Sequence, residues 1–151
     1  MDPPSESINS SLEVASAYVA GLATQDSQAL QSLRSDDFTL EFVHGDAFET
    51  PPYSAEVAQE FWPRWFAAFP EMDLEVLRTI ASEEVVVSQW IFTGTNSGPL
   101  VGMFGVERIE ATGKTVRLRG VTFLDIYSGL IQKETTYFDV ASLLVELNVQ
   151  L

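Results

Sequence analysis

The chain has 151 residues, a length typical of one domain, and nearly half of them are apolar, including ten Phe and three Trp. The 22 acidic residues outnumber the 8 basic ones, and the net charge of −14 argues against a nucleic-acid or anionic-membrane partner. There is no cysteine, which excludes disulfides and thiolate chemistry, and no apolar run approaches the roughly 20 residues that span a bilayer.

The N-terminal stretch MDPPSESINSS is polar and acidic. It lacks the basic and apolar regions of a secretory signal, so we expect a cytoplasmic protein. We also expect a flexible N-terminal segment over residues 1–8, followed by one domain over residues 9–151.

The next part of the chain is predicted to be helical. Ser10 and Glu13 have the spacing of a capping box, which predicts the start of the first helix. Asp26 and Ser54 are the predicted N-caps of a second and a third helix. Pro63 lies inside the third helical stretch, where it predicts either a kink or the true start of the helix. A short strand, DDFTLEFVHG, separates the second helix from the third.

The second half of the sequence is typical of β-strands. Apolar and polar residues alternate through MDLEVLRTI, and EEVVVSQWIFTGT is β-branched and aromatic on both faces. KTVRLRGVTFLDIY and LIQKETTYFDV are separated by Ser128 and Gly129, which is a hairpin signal. Gly120, in the middle of a long strand, predicts a bend or a bulge. The last stretch, ASLLVELNV, predicts a short helix.

This order of elements predicts an α+β fold. The three helices of the N-terminal half would pack against one strongly curved, mixed or antiparallel sheet, with a short C-terminal helix. Such an arrangement forms a conical barrel with an apolar interior.

Five segments resemble those of the SnoaL-like polyketide cyclases, a group of the nuclear-transport-factor-two-like superfamily that also includes ketosteroid isomerase. They are YVAGLATQD, the aromatic helix closed by AFPEMDLEV, GTNSGPL, ATGKTVRLRGV and GLIQKETTYFDVASLLVELNV. The resemblance implies a conical α+β barrel with a pocket at its open end, often in a homodimer. It also implies chemistry without a metal or cofactor, in which a carboxylate removes a proton next to a carbonyl group.

Two acidic residues near the end of the last strand are candidates for this carboxylate. Asp139 stands where the family often has an acidic residue, but it also precedes the last helix and is a good N-cap. Glu134 lies five residues earlier, and strand alternation predicts that it faces the opposite way from Asp139. The two are therefore competitors rather than partners.

Two further polar residues are candidates for the catalytic site. His44, the only histidine, could act as an acid or base, or be a structural residue of a turn. Asn96 stands in GTNSGPL, where many relatives have a histidine, and it could donate a hydrogen bond to an enolate oxygen but could not move a proton. Its alternative role is in turn structure. One histidine without cysteine predicts no transition-metal site.

Aromatic residues are the candidates for the pocket wall. Five of them could line a pocket for an apolar small molecule, although each could instead be an ordinary residue of the hydrophobic core: Tyr18, Trp62, Phe66, Trp90 and Tyr137. Glu134 joins them as a candidate pocket residue.

The sequence leaves three functions open. The first is a cofactor-free cyclase or isomerase of a small carbonyl compound, with Asp139 as base and Asn96, His44 or a tyrosine holding the oxyanion. The second is a non-catalytic binding module that has lost the family's histidine. The third is a dimeric interaction protein in which the Val86-Ser88-Trp90 side of a strand meets the partner.

Overall fold

The computed structural model describes residues 4–43, 52–104 and 106–149. These residues form four helices and seven strands. In chain order the elements are α1 Pro4–Ala23, α2 Ser27–Ser32, β1 Arg34–Val43, α3 Ala55–Ala68, β2 Glu71–Ala81, β3 Val85–Thr95, β4 Leu100–Met103, β5 Val106–Ile109, β6 Thr115–Tyr127, β7 Leu130–Phe138 and α4 Val140–Glu146.

Five strands form one curved mixed sheet in the order β1-β7-β6-β3-β2. The β1–β7 pair is parallel, and the other pairs are antiparallel. The α+β class and the curved mixed sheet are therefore confirmed. The predicted barrel is too strong a description, because β1 and β2 are the edges of an open sheet. Strands β4 and β5 form a separate two-stranded sheet that the sequence did not predict.

The N-caps of the two shorter N-terminal helices and the hairpin turn are confirmed. Asp26 accepts a hydrogen bond from the backbone N–H of Ala29, and Ser54 accepts one from that of Val57. Ser128 has a φ of 51° and the following glycine one of 74°, so the tight turn is left-handed at both positions.

The start of the first helix differs from the prediction. Helix α1 begins at Pro4, so Ser10 lies within the helix rather than at its N-cap. A proline at the first helical position is favourable, because its missing N–H would have no partner there. Pro63, by contrast, lies inside α3, which runs through it without a break.

Bulges rather than Gly120 interrupt the strand pairing. The register shifts between Val76 and Arg78 in β2 and between Asp125 and Ile126 in β6, whereas it is continuous on both sides of Gly120. The glycine is needed for a different reason. A Cβ atom there would lie 2.2 Å from the Trp90 ring, which packs over the glycine from the neighbouring strand.

The inner face of the sheet carries the core. Alternating residues of β3 point inward, and these include Val86, Ser88 and Trp90, the side that the sequence assigned to a partner. That assignment is wrong, because the helices already cover this face. The opposite face bears exposed apolar side chains, among them Leu77, Phe123 and Tyr137.

Candidate functional site

A partly open cavity with about 70 Å³ of free space lies between the inner sheet face and helices α1 and α3. Its wall is mainly aromatic and aliphatic. The apolar lining residues are Tyr18, Val19, Leu22, Phe42, Phe61, Trp62, Trp65, Met72, Leu74, Val76, Trp90, Phe92, Leu118, Leu124 and Phe138. The free space is smaller than the roughly 150 Å³ of a cavity that holds benzene, so a ligand requires the half-buried side chains of the wall to move.

One ionisable carboxyl group lies among the described residues of this wall. Glu134, on β7, is only 1% exposed, and its two oxygens have different partners. The hydroxyl of Tyr18 on α1 donates to Oε1, and the hydroxyl of Thr136 donates to Oε2 over 3.2 Å. The sheet and the first helix therefore hold this carboxyl group in a fixed orientation at the cavity.

The Tyr18 hydroxyl also connects the carboxyl group to two donors from other elements. Arg34, at the start of β1, donates from Nη2 to the Tyr18 oxygen over 3.0 Å. Trp62, on α3, donates from Nε1 to the same oxygen over 3.3 Å. The guanidinium carbon of Arg34 lies 4.5 Å from the centre of the Phe38 ring, a cation–π contact that keeps the charge in place.

Burial dominates the electrostatics of this pair. Removal from water raises the pKa of Glu134 above its ordinary value, although hydrogen bonds from Tyr18 and Thr136 and the charge of Arg34 act in the opposite direction. Burial also raises the pKa of Tyr18, and the neighbouring Glu134 adds to that effect. The phenol therefore stays protonated, while the carboxyl group becomes a stronger base than one in water.

A second chain of hydrogen bonds approaches the carboxyl group along the sheet. Trp90 Nε1 donates to Thr122 Oγ1 over 2.9 Å, and Thr122 Oγ1 lies 2.8 Å from Thr136 Oγ1. Both threonines line the cavity, and they are direct partners in the β6–β7 ladder. Strand register therefore fixes the chain from Trp90 to Glu134.

The other candidate acid lies in a different place. Asp139 is the N-cap of α4, where its carboxylate accepts from the Ser142 backbone N–H over 3.0 Å and from the Ser142 hydroxyl over 2.7 Å. These bonds lower its pKa, and the side chain is exposed. Asp139 is not among the described residues that line the cavity.

Asn96 is fully buried, and its side chain has a structural set of partners. Nδ2 donates to the carbonyl oxygens of Ala68 and Gly98, at 3.2 and 2.8 Å. Oδ1 accepts from the backbone N–H and the hydroxyl of Thr112, at 2.9 and 2.8 Å. Both amide hydrogens are used, so this side chain ties the end of α3 to two loops and has no donor left for a ligand.

The remaining predicted site residues lie in different places. Tyr18, Trp62 and Trp90 lie in the cavity wall. Phe66 is buried behind it, stacked on the Trp62 ring with centroids 5.9 Å apart. Tyr137 lies on the outer face and is 47% exposed, because its neighbours in β7 face inward. His44 lies outside the described residues.

Three residues of this site were not predicted from the sequence: Arg34, Thr122 and Thr136. Alternation along β7 could have grouped Thr136 with Glu134, since residues two apart share a face. No sequence pattern placed Arg34 near this carboxyl group.

Within the described residues, no group of three or more acidic, histidine or cysteine side chains could hold a metal ion. None of the helices in this part of the chain has the length and apolar character of a membrane-spanning segment.

Comparison with known proteins identifies one family and several proteins of the same fold. A family model of the SnoaL-like polyketide cyclases matches residues 12–147. A proposed SnoaL-like polyketide cyclase from Jannaschia sp. CCS1 has a TM-score of 0.79 and 17% identity, covering 100% of this chain and 98% of that protein. Among curated protein sequences, none matches the chain significantly.

Two Streptomyces proteins share the fold. AclR, a proposed hydroxylase from Streptomyces galilaeus, has a TM-score of 0.76 and 21% identity, covering 97% of this chain and 83% of AclR. IdmH, a proposed polyketide cyclase from Streptomyces antibioticus, has a TM-score of 0.69 and 22% identity, covering 91% of this chain and 97% of IdmH. Identities this low indicate a common fold and do not transfer a reaction.

Proposed function

Since the chain belongs to the SnoaL-like polyketide cyclase family, we propose that it is a cyclase or isomerase acting on an apolar carbonyl compound. The reaction uses no metal or cofactor, and Glu134 is the general base that removes a proton next to the carbonyl group. The observation that carries the proposal is a buried carboxyl group, hydrogen-bonded at both oxygens, in the wall of an apolar cavity. In this role Glu134 replaces Asp139, the first candidate from the sequence.

The environment of Glu134 suits proton removal from carbon. Burial raises its pKa, which makes the carboxylate a stronger base. The mainly apolar wall gives the carboxylate few polar neighbours besides its hydrogen-bond partners, so the carboxylate is poorly solvated and therefore more basic. Asp139 lacks both features, because it is exposed and its pKa is lowered by the bonds that cap α4.

A non-catalytic binding module is the second candidate function. It is favoured by Asn96, which stands where many relatives have a histidine and which is fully used in holding loops together. In this case the cavity would bind an apolar compound, and Glu134 would only orient it.

We also propose that the protein forms a homodimer through the outer face of the sheet. Leu77 and Phe123 are 51% and 38% exposed there, beside Tyr137. The ring centroids of Phe123 and Tyr137 lie 5.9 Å apart, so they form one apolar surface. Such a patch on a soluble domain is typical of an interface.

Proton exchange tests the catalytic proposal without knowledge of the natural substrate. Phenylacetone, an apolar ketone with one ring, is incubated with the protein in heavy water, and loss of its α-hydrogens is followed by NMR. We expect the wild type to accelerate exchange, Glu134→Gln to reduce the acceleration by about 100-fold or more, and Asp139→Asn to leave it unchanged.

Two outcomes would contradict Glu134 as base: exchange that survives in Glu134→Gln, or exchange that is lost in Asp139→Asn. Binding of phenylacetone without any accelerated exchange would support the binding module instead. All three tryptophans line the cavity, so their fluorescence reports binding in the same samples.

A further inference from the structure

A general base of this kind needs a partner that stabilises the negative charge on the enolate oxygen. The nearest donors already have acceptors. The Tyr18 hydroxyl donates to Glu134, Trp62 Nε1 donates to Tyr18, and Trp90 Nε1 donates to Thr122. A donor can instead be a group whose hydrogen is released during the reaction, and the Ser88 hydroxyl, which also lines the cavity, is its rival.

We propose that Thr122 is this oxyanion donor, and that its hydroxyl hydrogen turns into the cavity only when Glu134 has taken up the substrate proton. The inference rests on the proposed function, because it assigns the second role in the same reaction. The hydrogens along the chain Trp90–Thr122–Thr136–Glu134 decide which hydroxyl can donate into the cavity.

The ionised carboxylate fixes the direction of this chain. Trp90 Nε1 can only donate, a carboxylate can only accept, and each threonine hydroxyl has one hydrogen. Thr136 donates to Glu134 over 3.2 Å, so the hydrogen in its 2.8 Å contact with Thr122 must come from Thr122. Before reaction the Thr122 hydrogen is therefore used inside the chain.

Proton transfer to Glu134 changes which group donates in each of these hydrogen bonds. The substrate C–H bond breaks, its electron pair passes into the enolate, and an O–H bond forms at Glu134 Oε2. The new hydrogen cannot be accepted at Tyr18, because that oxygen already accepts from Arg34 and Trp62 and donates its own hydrogen to Glu134. It can be accepted at Thr136.

The two threonine hydroxyls then rotate. This reverses the hydrogen bonds along the chain without breaking another covalent bond. Thr136 accepts from Glu134 and donates to Thr122. The Thr122 oxygen now accepts from both Trp90 and Thr136, so its own hydrogen is free to point away from the chain. Because Thr122 lines the cavity, this hydrogen can bind the enolate oxygen at the moment when the negative charge is there.

Glu134→Gln provides a stable mimic of the protonated state. The Gln oxygen would accept from Tyr18, and the amide N–H₂ would donate to Thr136, which reverses the chain permanently. The probe is 4-nitrophenol, whose phenolate is a planar, one-ring oxyanion that absorbs visible light. Its binding is measured by absorbance titration with the full chain, in the absence of any reaction.

The test is a double-mutant cycle between positions 134 and 122. We expect Thr122→Val to weaken 4-nitrophenolate binding about tenfold in the Glu134→Gln background and less than about twofold in the wild type. Thr122→Ser keeps the hydroxyl and should behave like its parent in both backgrounds.

Ser88 is the rival donor, because it is the β3 partner of Thr122, lines the same cavity and takes part in none of the hydrogen bonds described above. If Thr122 is the donor, Ser88→Ala should weaken binding less than Thr122→Val does in the Glu134→Gln background. Thr135 supplies the matched control, since it pairs with Phe123 on the outer face and is not among the described residues that line the cavity. Thr135→Val should leave binding unchanged in both backgrounds.

Equal effects of Thr122→Val in both backgrounds, or a loss caused by Ser88→Ala instead, would overturn the assignment of Thr122. Thermal melting of each variant confirms that it is folded before titration. Failure of the wild type to accelerate proton exchange would overturn the proposed reaction, whereas the cycle tests the hydrogen-bond chain by binding alone.

Discussion

The hydroxyl of Tyr18 donates its single hydrogen to Glu134, a residue 116 positions further along the chain. Helix α1 thereby contributes directly to a group on the last strand of the sheet. The same hydroxyl accepts from Arg34 and Trp62, so three N-terminal elements act on one carboxyl group. Such a network is most stable when every hydrogen-bond donor and acceptor has a partner. A change in the protonation of Glu134 should therefore change the free energy of unfolding.

The first prediction concerns the pH dependence of stability. A pKa raised by folding means that the stabilising contribution of Glu134 is complete below its unfolded pKa and is lost as the pH rises through its folded pKa. We expect the free energy of unfolding of Glu134→Gln, relative to wild type, to increase as the pH rises above 4.5, the ordinary pKa of a glutamate. Each unit by which the pKa is raised corresponds to about 1.4 kcal/mol.

Urea unfolding across this pH range measures the difference. Glu107→Gln, at an exposed position of β5, is the control and should show no such trend. A difference between Glu134→Gln and wild type that stays constant with pH would contradict a raised pKa at Glu134.

The second prediction separates the two roles of Asp139. Because asparagine is also a good N-cap, Asp139→Asn should retain most of the melting temperature, whereas Asp139→Ala should lower it by removing the bonds to Ser142. The pKa of Asp139 is lowered in the folded state, so its contribution is present above the unfolded pKa and is lost as the pH falls through the folded value. Thermal melting of the three proteins at neutral and acidic pH measures this. A melting temperature unaffected by Asp139→Ala would argue against the cap.

Local patterns in the sequence were enough to predict several parts of the fold. Asp26 and Ser54 cap their helices, and Ser128-Gly129 forms the hairpin turn, because these features depend on a few neighbouring residues. The first helix was predicted to begin too late, since the spacing of Ser10 and Glu13 also fits the interior of a helix.

The candidate site was only partly predictable, because a bulge sets its register. A two-residue turn at Ser128-Gly129 without a bulge would pair Thr122 with Thr135. The shift between Asp125 and Ile126 pairs it with Thr136 instead, on the face that carries Glu134. No sequence signal marked this bulge, and the contribution of Arg34 depends on how a distant strand packs.

The third prediction concerns Asn96. Asn96→Ala would leave the carbonyl group of Gly98 and the N–H of Thr112 without their Asn96 partner, and the carbonyl group of Ala68 with only the Gly98 N–H. We expect it to lower the free energy of unfolding by about 2–4 kcal/mol. Ser97→Ala, at the exposed neighbouring position, should change it by less than about 0.5 kcal/mol.

Urea unfolding provides these values, and phenylacetone binding is measured on the folded fraction. A structural role predicts normal binding once Asn96→Ala is folded. A loss of binding without a loss of stability would instead favour a direct role for Asn96 in ligand recognition.

The fourth prediction concerns Gly120 and the shape of the cavity. A methyl group at this position would lie 2.2 Å from the Trp90 ring, so Gly120→Ala must displace the indole. The bond from Trp90 Nε1 to Thr122 would then break, and we expect altered tryptophan fluorescence together with a loss of stability of about 1–3 kcal/mol. Gly113→Ala is the control for fluorescence only, since nothing lies within 4 Å of its added methyl group, whereas its φ of 72° strains any side chain and lowers stability by itself. Unchanged fluorescence in Gly120→Ala would contradict the packing of Trp90 over the glycine.

The last prediction concerns the outer face of the sheet. If this face joins two copies, a charge in the middle of the apolar patch should weaken the contact, because the lysine would be buried without a partner. We expect Phe123→Lys to raise the dimer dissociation constant by at least about tenfold. Val57→Lys is the matched control, since Val57 is 49% exposed on α3 rather than on the sheet. Sedimentation equilibrium over a range of concentrations measures both variants. A wild-type protein that stays monomeric throughout, or equal effects of the two substitutions, would contradict a dimer through this face.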